Sequence, residues 1–445
     1  QLPKRRDFLN DDDVKVQYSK ISKLSELYFL GNDVKECLPF HDYMVIISGI
    51  SPCGAKIVLE ITDINPYVDV KIDQELTDYE CKKRIRNILI EDKIRFHTMD
   101  IVEGKDLFYH SFNTKRYIRI KFKNLYNRKQ CINLLTDKNI ETYNNELSCY
   151  YRLVAREYKI NLSSWNTINN YVNLSKQNKY KSKYHLSVKI DDIKPVDQDI
   201  VLADPLLSND KLISACFDIE MYTPDLGKIP SGKCEHDIIF MLCVTFQFIH
   251  ETNSFLNVCL VTKECDNQDN LFTIVCKNEK DLLKLFAKLI GRVQPDFITE
   301  FNGSEFDWRV IIDKAESYSV LKYMCKNISI ENLLPQDLET DNIRKWIIKI
   351  ETIKIEATRS VQSYNIKLFG FIPFDTRIIF RKLFPIDIKS SLNHYLDKLG
   401  LSLKDDMDFQ DMFNIYVNGP SNEMARVAHY CYIDSFSIHR LLFKK

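Results

Sequence analysis

The segments LISACFDIEMY and HDIIFMLCVTFQFIH constrain this chain more than any other feature, because runs so apolar and so rich in strand-forming residues must be buried in a sheet. They are followed by FLNVCLVT, by the helical EKDLLKLFAKLIGRV and by another apolar strand, PDFITEF. Strands, a helix and then a strand predict a mixed α/β sheet. Later segments read mainly as helices, including DIKSSLNHYLDKLG, which Gly400 would stop, and EMARVAHYCYIDSFSIHRLLF.

At 445 residues the chain exceeds the size at which one hydrophobic core keeps growing, so two or three domains are expected. No apolar run approaches the roughly 18 residues that span a bilayer, and the reading is a soluble protein without a membrane partner. Thirteen cysteines lie scattered from Cys37 to Cys431 with no CxxC pair, against both a zinc site and a disulfide framework. Lys+Arg and Asp+Glu both total 62, so any phosphate-binding surface must be a local patch.

Residues 66 to about 145 predict strand, helix, strand, strand, helix, strand: a split βαβ unit of the ferredoxin-like kind, found in many single-strand nucleic-acid binders and in many unrelated proteins. Arg116 to Lys123 alternates, with Ile118, Ile120 and Phe122 on one face and Arg119, Lys121 and Lys123 on the other. That basic face can touch phosphates, or it is a solvated strand kept soluble by charge. Residues 172 to about 205 are polar and read as a connector, which divides the chain into domains at 1–205 and 206–445.

Hydrolysis of a terminal phosphodiester needs an activated water and charge stabilisation on both the attacking and the leaving oxygen. Two divalent metals can supply both, held by carboxylates converging from different elements. Asp218 and Glu220, two apart in a strand, share one face. Asp307 follows the strand PDFITEF, and the spacing of Ser304 to Asp307 predicts a helix N-cap and its third residue, which would by itself explain an acid there. Tyr430 and Asp434, four apart, share a helix face. Each residue taken alone has an ordinary explanation as a solvated or capping side chain.

Together and in order, FDIE, PDFITEFNGSEFD and HYCYIDSF resemble the Exo I, Exo II and Exo III motifs of B-family DNA polymerases. The stretches DYMVIISGISPCGAKIVLEITDINPYVDVKI and ETYNNELSCYYRLVAREYKINLSSW resemble that family's N-terminal domain. YIRIKFKNLYNRK, CYYRLVAREYKINLSSW and DIEMYTPDLGKIP look closest to the polymerases of African swine fever virus and its relatives. The resemblance implies a ribonuclease H-like exonuclease domain with a mixed sheet, joined to an α+β N-terminal part. It also implies 3′→5′ proofreading with two divalent ions, Mg²⁺ or Mn²⁺. Asp218 would bridge both ions, Glu220 and Asp434 would complete the inner site, Asp307 would hold the outer ion, and Tyr430 would orient the attacking water.

Asn302 and Phe306 would shape the channel for a single-stranded 3′ end, with core packing an equal role for Phe306. Glu300 departs from the family pattern, standing where glycine is common and adding a charge near the metals. The histidines His236, His250, His429 and His439 have no ligand spacing and are read as solvated or hydrogen-bonded. DNA is the implied partner, a processivity factor is left open, and the viral resemblance implies the host cytoplasm. The palm motifs of such polymerases do not occur before Lys445, so the expectation is the N-terminal part of a larger polymerase. A free-standing exonuclease and a non-catalytic nucleic-acid-binding module are the rival readings.

Overall fold

The computed structural model describes residues 2–72, 75–104, 114–143, 145 and 148–444. The paired apolar segments form the middle of a six-stranded mixed sheet. The central strand Ile213–Tyr222 pairs antiparallel with Ile238–Phe248 and parallel with Phe297–Glu300, which pairs parallel with Ile372–Asp375. Leu256–Val261 and Phe272–Val275 complete the other side. Three parallel strands therefore deliver their carboxyl ends to one edge of the sheet, the place where α/β proteins build sites.

Each face of this sheet is covered by helices. Phe217 and Ile219 point into a core with helices Glu279–Val293, Asp307–Ser317 and Leu321–Ile328, where the Phe217 ring meets Trp308 at 5.1 Å and Phe286 at 5.5 Å. On the other face the helices Phe409–Asn418 and Ser421–Leu442 bury Met412, Met424, Val427 and Cys431 against Phe240, Met241 and Cys243. Period-2 alternation thus leaves Asp218 and Glu220 on the face that the last helix covers.

The region after the sheet's first helices is less helical than its composition suggests. Strands Ile348–Lys354 and Ser360–Ile366 form an antiparallel hairpin, and Ile372–Asp375 is the edge strand. The hairpin is only partly buried, with Ile350 itself exposed, so its apolar residues give no clear alternation. The DIKSSLNHYLDKLG helix spans Leu392–Lys398, capped by the Ser391 hydroxyl, and Gly400 adopts φ +65 just beyond it, a left-handed conformation that ends helices.

Ahead of residue 205, a seven-stranded sheet runs in the order Ile193–Pro195, Trp165–Ile168, Leu27–Glu36, Val45–Ile50, Lys56–Thr62, Tyr184–Lys189, Val172–Asn173. Residues 172–205 are therefore no simple connector. Tyr184, Leu186 and Val188 alternate into the core beneath the lysines that make the segment look like a linker. A four-stranded antiparallel sheet is inserted at 67–143, in the order Thr98–Gly104, Lys115–Lys121, Tyr67–Lys71, Thr142–Tyr143. Its helices are Asp78–Glu91, begun by a Thr77–Glu80 capping box, and Leu125–Asp137.

The two halves meet across a buried ion cluster. Arg5, from the chain's start, and Lys56, from the seven-stranded sheet, both bond the Asp296 carboxylate, which also accepts the Ile213 amide at 2.8 Å. Burial works to raise the Asp296 carboxyl, yet the two cations and the amide hold it below its ordinary range. Lys56, pulled the other way by burial, falls to about 8.

Candidate active site

Four acids converge from three elements. Asp218 and Glu220 come from the central strand, whose register slips between Glu220 and Met221, a bulge of the kind that re-aims side chains at sites. Asp307 is the first residue of helix Asp307–Ser317, and Asp434 lies on helix Ser421–Leu442. Burial and the neighbouring Glu220, Asp434 and Asp307 push the Asp218 carboxyl well above its ordinary range. Burial and Asp434 raise Glu220 to about 8. Asp307, nearly buried, rises to about 7 from burial, its own amide partly offsetting the shift and Asp375 adding to it. Acids that raise one another in this way need a cation.

One cation is already present. Lys404 Nζ lies 2.7 Å from Asp434 Oδ2 and 3.1 Å from the Tyr430 hydroxyl, and it stands 4.7 Å over the Tyr430 ring. The other oxygen, Asp434 Oδ1, is buried without a hydrogen-bond partner. An orphaned carboxylate oxygen amid mutually repelling acids fits a hard divalent ion, and an all-oxygen donor set suits Mg²⁺ or Mn²⁺. Cys431 also approaches, its Sγ 3.8 Å from Asp218 Oδ2. Burial raises that thiol well above its ordinary value, and it donates to the Asp218 carbonyl at 3.6 Å. Tyr430 is kept protonated by burial and by Asp434, Glu220 and Asp218.

The loop leading to Asp307 is organised differently from the expected N-cap. Phe306 holds the cap position and caps nothing with its side chain. Ser304 instead turns to Asp375, donating its hydroxyl at 2.6 Å and its amide at 3.2 Å. Asp375 also accepts the Asn302 amide at 3.0 Å and starts the next helix through the Arg377 amide at 2.8 Å. Asn302 sits at φ +72, a left-handed conformation Asn tolerates, and its side-chain oxygen accepts from Arg377. Phe306 packs partly buried at the rim of the main core.

Glu300 is buried, opposite Asp375 in the strand register, and burial with Asp375 and Asp307 pushes its carboxyl well above its ordinary range. Gly303 makes room for it, since a Cβ there would stand 1.7 Å from Glu300 Cγ.

Arg119 is removed from any free phosphate-binding face. Its guanidinium forks onto Asp69 at 2.8 and 2.9 Å, bonds Glu157 at 2.7 Å and stacks 3.7 Å from the Tyr67 ring centroid. Lys121 is half-buried and Lys123 exposed on the same unit. His439 is buried between Cys216 and the Thr245 carbonyl and falls to about 4, consistent with a structural role. Sequence reasoning missed Lys404, Asp375 and Arg377; none lies in a periodic pattern or in the three motifs, and IPFDTR and LSLKDD carried no signal beyond their charge.

Residues 140–395 match the family model for the DNA polymerase family B exonuclease domain. The chain belongs to DNA polymerase family B. It is 30% identical over 428 residues to the protein named DNA polymerase beta of African swine fever virus, covering 94% of this chain and 34% of that one. It is 26% identical over 233 residues to the DNA polymerase catalytic subunit of Saimiriine herpesvirus 2, over 51% of this chain and 21% of that one. The family B DNA polymerase of Pyrobaculum calidifontis superposes with a TM-score of 0.58 at 14% identity, over 94% of this chain and 45% of that one, a likeness of fold. The chain spans about a third of the length of the African swine fever virus relatives it matches. Among the described residues no helix is long and apolar enough to cross a membrane.

Proposed function

We propose that this chain is the N-terminal and proofreading part of a DNA-directed DNA polymerase, and that its acidic site hydrolyses the 3′-terminal nucleotide of DNA. The observation that carries the reading is the convergence of Asp218, Glu220, Asp307 and Asp434 at one sheet edge beside Tyr430, the first three of these acids lying in the segment 140–395 that matches the family B exonuclease domain. Those four carboxylates would hold two divalent ions, Mg²⁺ or Mn²⁺, which when bound supply water activation and charge stabilisation. The protonated Tyr430 hydroxyl would orient the attacking water. Lys404 holds that phenol and balances Asp434.

Asn302 and Phe306, on the loop pinned by Asp375, would border the path of the single-stranded 3′ end. Lys121 and Lys123 would be peripheral phosphate contacts. The sheet order supports a ribonuclease H-like exonuclease domain over 206–445, and the inserted antiparallel four-stranded unit supports a ferredoxin-like module within an N-terminal domain over 1–205. The palm would lie beyond Lys445, with a processivity factor as a further partner and the replication site in host cytoplasm as the location, in keeping with the viral relatives.

With Mg²⁺ the chain is expected to shorten a 5′-labelled single-stranded oligonucleotide from its 3′ end to mononucleotides, and Asp218→Asn is expected to abolish this. Undiminished digestion by the variant would overturn the assignment.

A further inference from the structure

On the sheet face opposite Asp218 and Glu220, helices Glu279–Val293 and Leu321–Ile328 cross so closely that a Cβ on Gly291 would stand 2.1 Å from the Asn327 carbonyl oxygen. Beside the crossing lie two cavities of about 470 and 290 Å³. Both are lined by Leu285 and Lys288, so they form one groove along the first helix.

The groove is strongly basic in a chain whose net charge is zero. Lys277, Lys284, Lys288 and Arg292 line it, and the four-residue spacing of the last three keeps them on one side of helix Glu279–Val293. Lys288 has no ion pair among the described residues, and Arg292 uses only its Nε, on the Pro3 carbonyl at 3.3 Å. The one acid lining the groove is Asp281, 3.9 Å from Lys284. The second helix lines it with Asn327 and Tyr323, and Tyr323 offers a half-buried ring 5.9 Å from Lys284. Lys181 belongs to the scaffold, its ammonium held by the carbonyls of Lys326 and Ser329.

Helix geometry places Lys284, Lys288 and Arg292 about 6 Å apart in rise, a regular ladder of cations beside an aromatic face. A polyanion with flat bases and regularly spaced charges suits such a wall: phosphates meet the ladder and a base can stack on the ring. We propose that this groove binds the backbone of a single nucleic-acid strand at a second site, separate from the carboxylates. It does not depend on the exonuclease reading, because binding here needs no metal and no hydrolysis.

The test is fluorescence anisotropy of labelled dT20 with the 445-residue chain in EDTA, at several KCl concentrations. Lys284→Glu/Lys288→Glu is expected to weaken binding at least tenfold and to lower the slope of log affinity against log salt by about 1.4, from roughly 0.7 per lost phosphate contact. Lys20→Glu/Lys23→Glu, exposed in the last turn of helix Asp11–Ser22 and at its C-cap, makes the same change in net charge and is expected to have little effect. Lys284→Gln/Lys288→Gln keeps good helix formers and, with an unchanged melting temperature, is expected to show an intermediate loss. Equal affinities of the groove and control variants would overturn the proposal, leaving a solvated lysine face. Poly-glutamate competing as well as unlabelled dT20 would overturn the choice of a nucleic acid. Asp218→Asn abolishing digestion but not groove-dependent binding separates the two sites.

Discussion

Asp375→Asn probes the contact on which the loop before Asp307 depends. The buried carboxylate accepts on two sides: Oδ1 takes the amides of Asn302 at 3.0 Å, Arg377 at 2.8 Å and Ile378 at 3.4 Å, and Oδ2 takes the Ser304 amide at 3.2 Å and hydroxyl at 2.6 Å. An asparagine must turn its NH₂ towards one of these sets of donors. The less costly choice replaces Oδ2, because the Ser304 hydroxyl can rotate and accept, which leaves one buried amide unpaired. An orphaned buried donor costs about 1–3 kcal/mol, and the remaining bonds weaken once the acceptor is neutral. The expected destabilisation is about 2–4 kcal/mol, measured as a lower urea midpoint at constant slope. Since the loop runs straight into Asp307, a shift of about 1 Å is also expected to slow 3′-end hydrolysis on the order of 100-fold in kcat. Urea unfolding followed by circular dichroism and single-turnover digestion read the two effects. A variant with an unaltered midpoint and an unaltered rate would refute the role given to Asp375.

Lys404→Met removes the cation beside Asp434 and Tyr430; kcat is expected to fall about 10–100-fold, the loss of one charge-assisted contact, while the apparent Mg²⁺ affinity rises because the acids lose their internal counter-ion. Weaker metal binding by this variant would contradict the charge balance drawn here. Without metal, Glu220 at about 8 and Asp307 at about 7 bind protons more tightly folded than unfolded, so their contribution to stability is complete below about pH 4 and is lost as pH rises to about 8. In EDTA the melting temperature of Glu220→Gln should therefore fall less than wild type over that range, and parallel curves would sink the assignment. Gly303→Ala should destabilise the loop because its Cβ meets Glu300 Cγ, and Glu300→Gly added to it should restore the melting temperature; no rescue would mean that this overlap is not the cause. Arg119→Ala should lower the stability of the inserted unit by about 1–3 kcal/mol, because the buried Asp69 loses its two-pronged partner and keeps only Arg152 at 3.6 Å, yet leave DNA affinity unchanged in a filter-binding assay.

The elements that could be read from the chain are those whose burial is continuous along it. Ile213–Tyr222 and Ile238–Phe248 are nearly unbroken apolar runs, and Glu279–Val293 has one wet and one dry side, so local pattern and tertiary packing agree. The strand Tyr184–Lys189 and the hairpin around Ile348–Lys354 and Ser360–Ile366 are obscured because polar residues interrupt their apolar positions and the hairpin is only partly buried, with Ile350 exposed. Short edge strands with one solvated face lack the contrast that periodicity needs.

Within the site, the boundary between the readable and the unreadable follows sequence distance. Asp218 and Glu220 share a strand, Tyr430 and Asp434 share a helix, and such neighbours are implied by local geometry alone. Asp307 was placed by its motif, but the reason for its position was misread. Ser304 bonds a carboxylate 71 residues away, where local spacing predicts a cap. Lys404 reaches Asp434 across 30 residues and Asp375 reaches Asn302 across 73, so neither contact leaves a trace in any short window. Glu300 shows the same limit for charge. An acid near Asp307 and Asp375 looks like added negative potential until its burial and the space left by Gly303 are known, and then it is a side chain filling a gap with its carboxyl pushed well above its ordinary range. The acids of the candidate site are thus a property of motifs, whereas the groups that set their spacing and protonation are a property of the fold.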